Sequence, residues 1–296
     1  MRDPRTLGYL LALGSAATGA VRFNLAVYAK AHGLTLVWFL LGALIVGILC
    51  SGTHVIVKDG LNGFGTFRGK RVHALLYGLL MAWSSLSHFL ALDYINEVVM
   101  SSLAQTTILV TIGLAVWLLG ERFTAAEWVA AAIICFGIFW FKPWTGDLRT
   151  TGFLIVMSGV MAGSFATIGA KRWVVGIPPR VLMVWRNVVA FVVVGIYILA
   201  RGTALPEVTP WTLMACIAAG ILGPYLHGLF FLQALERVDA AKATLMSRIA
   251  PVIVFLVSWA FLSRVPELKD TLGAGVLLIG VVWLAAVRPA PKRRNI

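Results

Sequence analysis

Charge is scarce in this sequence. Asp, Glu, Lys and Arg make up 12% of its 296 residues, about half of the roughly 25% usual in a soluble domain. Acidic residues are the scarcer kind, 12 against 25 basic ones. Asp93, Glu97, Glu121, Glu236 and Asp239 flank the long apolar runs and stay at their edges. So little charge cannot clothe a water-facing surface, which excludes a soluble globule and leaves lipid as the solvent. Cysteine is also sparse. Cys50, Cys135 and Cys216 each stand alone in an apolar run, without CxxC spacing or a Cys/His cluster. Neither a disulfide framework nor a zinc site is expected from them, and they read as small buried hydrophobes. The chain has no HExxH, no GxSxG and no acidic pair. An enzyme needs a paired base and nucleophile or metal ligands, so no catalytic residue, metal or cofactor is expected.

What the sequence does have is apolar length. It is 60% hydrophobic and its mean hydropathy is +0.90. A membrane-crossing helix needs about 20 mostly apolar residues. Ten runs qualify: 7–29, 34–57, 73–92, 97–119, 124–141, 151–170, 181–200, 210–234, 241–262 and 270–287. The longest connection, KDGLNGFGTFRGKRV at 58–72, is glycine-rich and basic, and no segment reads as a separate soluble domain. The net charge of +13 would suggest nucleic acid in a soluble protein. Here it follows the connections instead. Sixteen of the 25 Lys and Arg lie in the two termini and the alternate connections on their side or at run edges there, six lie on the other side, and the remaining three, Arg22, Arg186 and Arg248, lie deeper inside runs. Cytoplasmic loops collect Lys and Arg, so both termini are expected in the cytoplasm, in a multi-pass protein of the cell (inner) membrane. Lipid and a small molecule are the expected partners, nucleic acid is not, and a monomer or homodimer is expected.

The runs repeat. Without gaps, SSLAQTTILVTIGLAVWLLGERF and the residues after it align on TLMSRIAPVIVFLVSWAFLSRVP and the residues after it. Ser102 falls on Leu245, Gln105 on Arg248, Gly137 on Gly280 and Trp140 on Trp283. The register extends back to Ala91-Leu92-Asp93 on Ala234-Leu235-Glu236. The first and sixth runs also correspond, pairing Ser15 with Gly159 and Gly19 with Gly163, a small-xxx-small step that lets helices approach closely. The chain is therefore expected to be all-α, two five-helix halves over 1–146 and 147–296. Five is odd, so the second half enters the membrane inverted, the architecture of secondary transporters with a midplane site. The first run belongs to the repeat, so although a basic start before an apolar stretch suggests a signal peptide, it is expected to be retained.

Leu-Leu-Gly-Glu-Arg-Phe-Thr at 118–124, the Ala/Gly-rich run ending near Gly137, Ala250-Pro251 and Arg186 together resemble the EamA type of the drug/metabolite transporter superfamily. The resemblance covers nearly the whole chain. It implies ten helices and transport, often export, of small metabolites. Departures exist: Phe39 stands where the repeat pairs Arg186, Ile108 where it pairs Pro251, and Ser263-Arg264-Val265 where it pairs the Gly-Glu-Arg pattern. The carboxylate that the small multidrug branch carries in its first helix is absent, Arg22 being the one charge there, so proton-for-cation exchange is not carried over.

An ionisable residue within a span is functional by default. Arg22 falls roughly 22 Å along the first run and Arg248 about 10 Å into the ninth, at 1.5 Å per residue. They are expected to bracket a midplane cavity from opposite ends, with Gln105 in its outer third. Arginines without carboxylates favour a ligand bearing carboxylate or phosphate. Arg22, Asn24, Gln105 and Arg248 are the expected polar ligands. Trp83, Tyr77, Tyr225 and Phe230 are candidate apolar walls, and His88 and His227 candidate titrating groups. Arg186, Pro251, Gly19 and Gly163 are assigned structural or gating roles, Arg186 by snorkelling or pinning loops. An alternative for Arg22 is a structural pair with Asp93 or Glu97. The expected activity is secondary transport of a small anionic or zwitterionic, amphipathic metabolite such as an amino acid by alternating access. The rivals are a phosphate-ester or nucleotide-sugar exchanger, an integral membrane enzyme acting on lipid, and a scaffold or receptor.

Overall fold

The computed structural model describes residues 4–67, 69–91, 93–95, 100, 103–141, 150–249, 252–253 and 268–287, and among these there is no strand. The helices in chain order are α1 (Pro4–Ala31), α2 (Leu36–Asp59), α3 (Arg71–Ala91), α4 (Thr107–Leu119) and α5 (Ala125–Phe141). They continue as α6 (Thr150–Arg172), α7 (Pro179–Arg201), α8 (Pro210–Leu235), α9 (Ala240–Ser247) and α10 (Leu268–Ala286). Five of them, α2, α3, α6, α7 and α8, are long and apolar enough to cross a bilayer. The glycine-rich connection 58–72 contains a short 3₁₀ turn, Leu61–Phe67. Half of the ninth apolar run, Pro251 included, lies outside the described residues.

Local chemistry sets several of the boundaries. α7 opens with Pro179 in its first turn, where a missing N–H costs nothing. It closes on Gly202 at φ +58°, a left-handed position that favours glycine. α8 opens at Thr209, whose hydroxyl accepts from the Thr212 amide while Thr212 reciprocates. α5 opens on the same reciprocal pattern: the Thr124 amide donates to Glu127 Oε2 at 2.8 Å and the Glu127 amide to Thr124 Oγ1 at 3.2 Å. The two pairs satisfy amides that a helix start leaves without partners.

Packing is by layers of helices in contact. α3 lies against α6 and α7, α2 against α7 and α8, α1 against α8 and α9, α4 against α6 and α9, and α5 against α10. Small residues set the closest approaches. At the α5–α10 crossing a Cβ on Gly137 would come within 2.9 Å of the Leu277 nitrogen, and one on Gly280 within 3.0 Å of the Ile134 nitrogen. Large apolar side chains such as Trp117 and Leu199 point outward, as a surface solvated by lipid requires.

One end of the bundle carries a buried ionic junction. Lys242 at the start of α9 places Nζ 2.6 Å from Glu127 Oε1 and 3.0 Å from Asp239 Oδ2. Both Lys242 and Glu127 are almost fully buried. Glu121, between α4 and α5, accepts the amides of Ala240 at 2.6 Å and Ala241 at 3.1 Å. It thus satisfies the N-terminus of α9 from another part of the chain. Burial pushes the Glu121 carboxyl above the usual range, and the two amides oppose that shift.

Candidate functional site

The eighth apolar run contains a proline, in ILGPYLHG at 221–228. Proline has no N–H to give to the preceding turn, and its ring crowds that turn. α8 answers by widening into π-helical turns over Ile221–His227, a distortion that recurs at functional sites because it re-aims carbonyls. The Pro224 carbonyl is turned to α7, where it accepts from Arg186 Nη2 at 2.7 Å and Asn187 Nδ2 at 3.2 Å. A glycine within the widened segment and another just after it make room by lacking a Cβ. A Cβ on Gly223 would collide with the Arg22 side chain, and one on Gly228 with the Arg186 guanidinium.

Beside this segment lies a cavity of about 310 Å³, at the small end of the range for small-molecule sites. Arg22, Arg186 and Arg248 all line it, together with His88, Gln105 and His227. Among its described lining residues there is no Asp or Glu. Arg186 is 8% exposed and bonds to neutral partners, Pro224 and the Asn187 side-chain oxygen at 3.2 Å. Tyr77, itself buried, also lines the cavity beside Arg186. Arg248 Nη1 donates to Gln105 Oε1 at 3.3 Å, while no described group reaches its Nε. Arg22 and Arg186 lie close enough to repel each other.

Both histidines are held through Nδ1. His227 Nδ1 donates to the Ser15 carbonyl at 2.8 Å, with the Ser15 hydroxyl 2.9 Å away. His88 Nδ1 donates to the Ser84 carbonyl. Gly19 makes room for His227, since a Cβ there would lie 2.8 Å from its Nδ1. Gly163 does the same for Ser84, with 2.6 Å to its Oγ. Both glycines are at the cavity wall as well as at a helix contact.

The structure therefore brings together Arg22, His88, Gln105, His227 and Arg248, with Gly19 and Gly163 behind them. Arg22 and Arg248 line one cavity together with Arg186. The structure differs from the sequence expectation in two ways. Arg186 does not snorkel to an end but sits buried against Pro224. Trp83 and Tyr225 are not among the residues lining the cavity. Trp83 is 41% exposed and donates to Ser158 Oγ at 3.0 Å, and the Tyr225 hydroxyl bonds His54 Nδ1 at 3.0 Å. Phe230 packs towards Gly14, and its neighbour Phe231 faces the cavity instead. The Asn24 side chain, Pro251 and Glu97 lie outside the described residues. Sequence reasoning missed Asn187 and Pro224. A polar residue beside an intramembrane arginine, and a proline in the middle of an apolar run, were the available signals.

Trp83→Phe tests the displaced assignment. Transport by the variant in proteoliposomes is expected to stay within about twofold of the parent, as for a surface substitution. A tenfold loss would return Trp83 to the site.

No group of three or more His, Cys, Asp or Glu able to hold a metal occurs among the described residues, and Cys50, Cys135 and Cys216 are free thiols. Comparison with known proteins gives matches to a family model and to solved structures. Residues 150–286 match the EamA-like transporter family. A crystal structure of another protein, 17% identical, superposes with a TM-score of 0.75 over 93% of this chain and 95% of that one; it shares the fold. No curated protein matches.

Proposed function

We propose that the chain, whose residues 150–286 match the EamA-like transporter family, is a multi-pass membrane transporter of the drug/metabolite type, and more closely a secondary transporter of a small organic anion, zwitterions such as amino acids included, working by alternating access. The observation that carries this reading is one cavity lined by three arginines and, among the described residues, by no carboxylate. Guanidinium groups bind carboxylate and phosphate through paired N–H donors, and three of them repel a cation. The lack of a carboxylate among the described lining residues also favours uniport or exchange over proton antiport by a carboxylate route. The basic connections favour cytoplasmic termini and, with the family, a place in the inner cell membrane.

Alternating access rests on two inverted five-helix halves, residues 1–146 and 147–296, making ten spans in all. The contacts support that symmetry because they come in matched pairs. Gly19 meets His227 as Gly163 meets Ser84, and the repeat register equates Gly19 with Gly163 and Ser84 with His227. Gly137 meets Leu277 as Gly280 meets Ile134. Gln105 and Arg248, equivalent in the same register, bond each other, as expected of residues beside a two-fold axis.

The test is counterflow of labelled solutes into proteoliposomes, with amino acids, organic phosphates and quaternary amines compared for the parent and a folded Arg22→Gln. Anion uptake reduced about tenfold or more in the variant, the loss of one hydrogen bond to a charged group, is the expected result. Uptake of quaternary amines, or unchanged anion uptake by Arg22→Gln, would count against the reading.

A further inference from the structure

The two cavity histidines limit what else the ligand carries. A carbonyl oxygen can only accept, so the Nδ1 of His227, on the Ser15 carbonyl, and the Nδ1 of His88, on the Ser84 carbonyl, must both hold hydrogens. In a neutral imidazole the other nitrogen is then a bare acceptor. His88 Nε2 is buried with no partner among the described residues; His227 Nε2 is not one of the buried, unpartnered atoms. Both rings line the cavity with the three arginines. The site therefore holds many donors for an anion, one buried acceptor without a described donor at His88 Nε2, and a second acceptor at His227 Nε2 when its Nδ1 donates to Ser15. A buried acceptor without a partner is costly, so a ligand that supplies donors is favoured over one that does not.

Hydroxyl and ammonium groups both donate. An ammonium would enter a cavity whose charged described lining is wholly cationic. It would lose its water with no carboxylate to replace it. A hydroxyl meets neither cost. Resting on the anion reading above, we propose that the ligand is a hydroxylated organic anion, its carboxylate or phosphate held by Arg186 and Arg248 and its hydroxyl hydrogens accepted by His88 Nε2 and His227 Nε2.

The experiment uses the full chain in proteoliposomes and solute pairs matched in size, the first two matched in charge as well. Malate is set against succinate, glycerol 3-phosphate against propyl phosphate, and aspartate against malate. The first two pairs also tell carboxylate from phosphate. The parent is expected to prefer the hydroxylated member of one pair by about tenfold or more, the discrimination of a site built to pair a ligand hydroxyl. His227→Phe and His88→Phe are expected to reduce that preference to about twofold or less while still moving the deoxy compound. His227→Gln, which restores a carbonyl acceptor, is expected to recover part of it and covers the case in which a Phe variant does not fold.

Equal transport of hydroxylated and deoxy anions by the parent, with both lost in Arg186→Leu, would overturn the hydroxyl assignment and leave the anion transporter standing. Aspartate preferred over malate would overturn it in favour of an ammonium at the histidines. If no anion moves and quaternary amines do, both the assignment and the anion reading fall.

Discussion

Lys242→Met is expected to lower the thermal unfolding midpoint of the purified protein in detergent by roughly 10 °C, the largest stability effect of any single substitution considered. Lys242 and Glu127 are both buried, at 3% and 0% side-chain exposure, and 2.6 Å apart. Removing one partner of a buried pair leaves the other charge in low dielectric, at a cost of about 3–5 kcal/mol. For a chain of this size each kcal/mol shifts the midpoint by roughly 2–4 °C. Glu127 also closes the first turn of α5 through the Thr124 amide, so Glu127→Gln, which keeps that acceptor, is expected to cost less than Glu127→Ala. The double variant Lys242→Met with Glu127→Met is expected to recover much of the loss, because replacing a buried pair by apolar groups is often neutral. A shift under 2 °C for Lys242→Met, read by scanning fluorimetry, would mean that water reaches the pair.

The second large effect concerns transport. Arg186→Leu is expected to cut anion uptake by roughly 10–100-fold, the span of a hydrogen bond to a charged group. Arg186 is the most buried of the three cavity arginines by residue exposure, and its fork spans the Pro224 carbonyl and the Asn187 side-chain oxygen. Arg186→Lys keeps the charge but loses the planar fork. It is expected to fall between the parent and the leucine variant, with the larger change in KM. Asn187 still donates to Pro224 in either variant, so the widened turn of α8 keeps one partner. A folded Arg186→Leu that transports normally would reduce Arg186 to a pin between α7 and α8. The stability of the variant, read in the same fluorimetry, separates loss of fold from loss of ligand.

Composition alone decided the solvent of this protein, since so few charges cannot face water. Arg22, Arg248, Gln105, His88 and His227 were legible for a related reason: polar groups in apolar runs are costly enough to stand out one at a time. The paired glycines were legible through the repeat, which aligned Gly19 with Gly163 before any contact was known.

Direction was not legible. In a soluble helix the buried face announces itself by apolar periodicity. In a bilayer the lipid-facing and core-facing sides are both apolar, so nothing local told Tyr77, which faces the cavity, from Trp83, which does not. The same blindness hid Arg186, whose distance from a helix end suggested snorkelling until α8 supplied the Pro224 carbonyl. It also hid Lys242 and Glu127, charges at the edges of apolar runs that only the meeting of α5 and α9 buries. The sequence by itself determined the solvent, the apolar runs and the costly polar groups. Only the tertiary structure decided which of those groups share a cavity, because that depends on helix rotation, and lipid leaves no mark of it in the sequence.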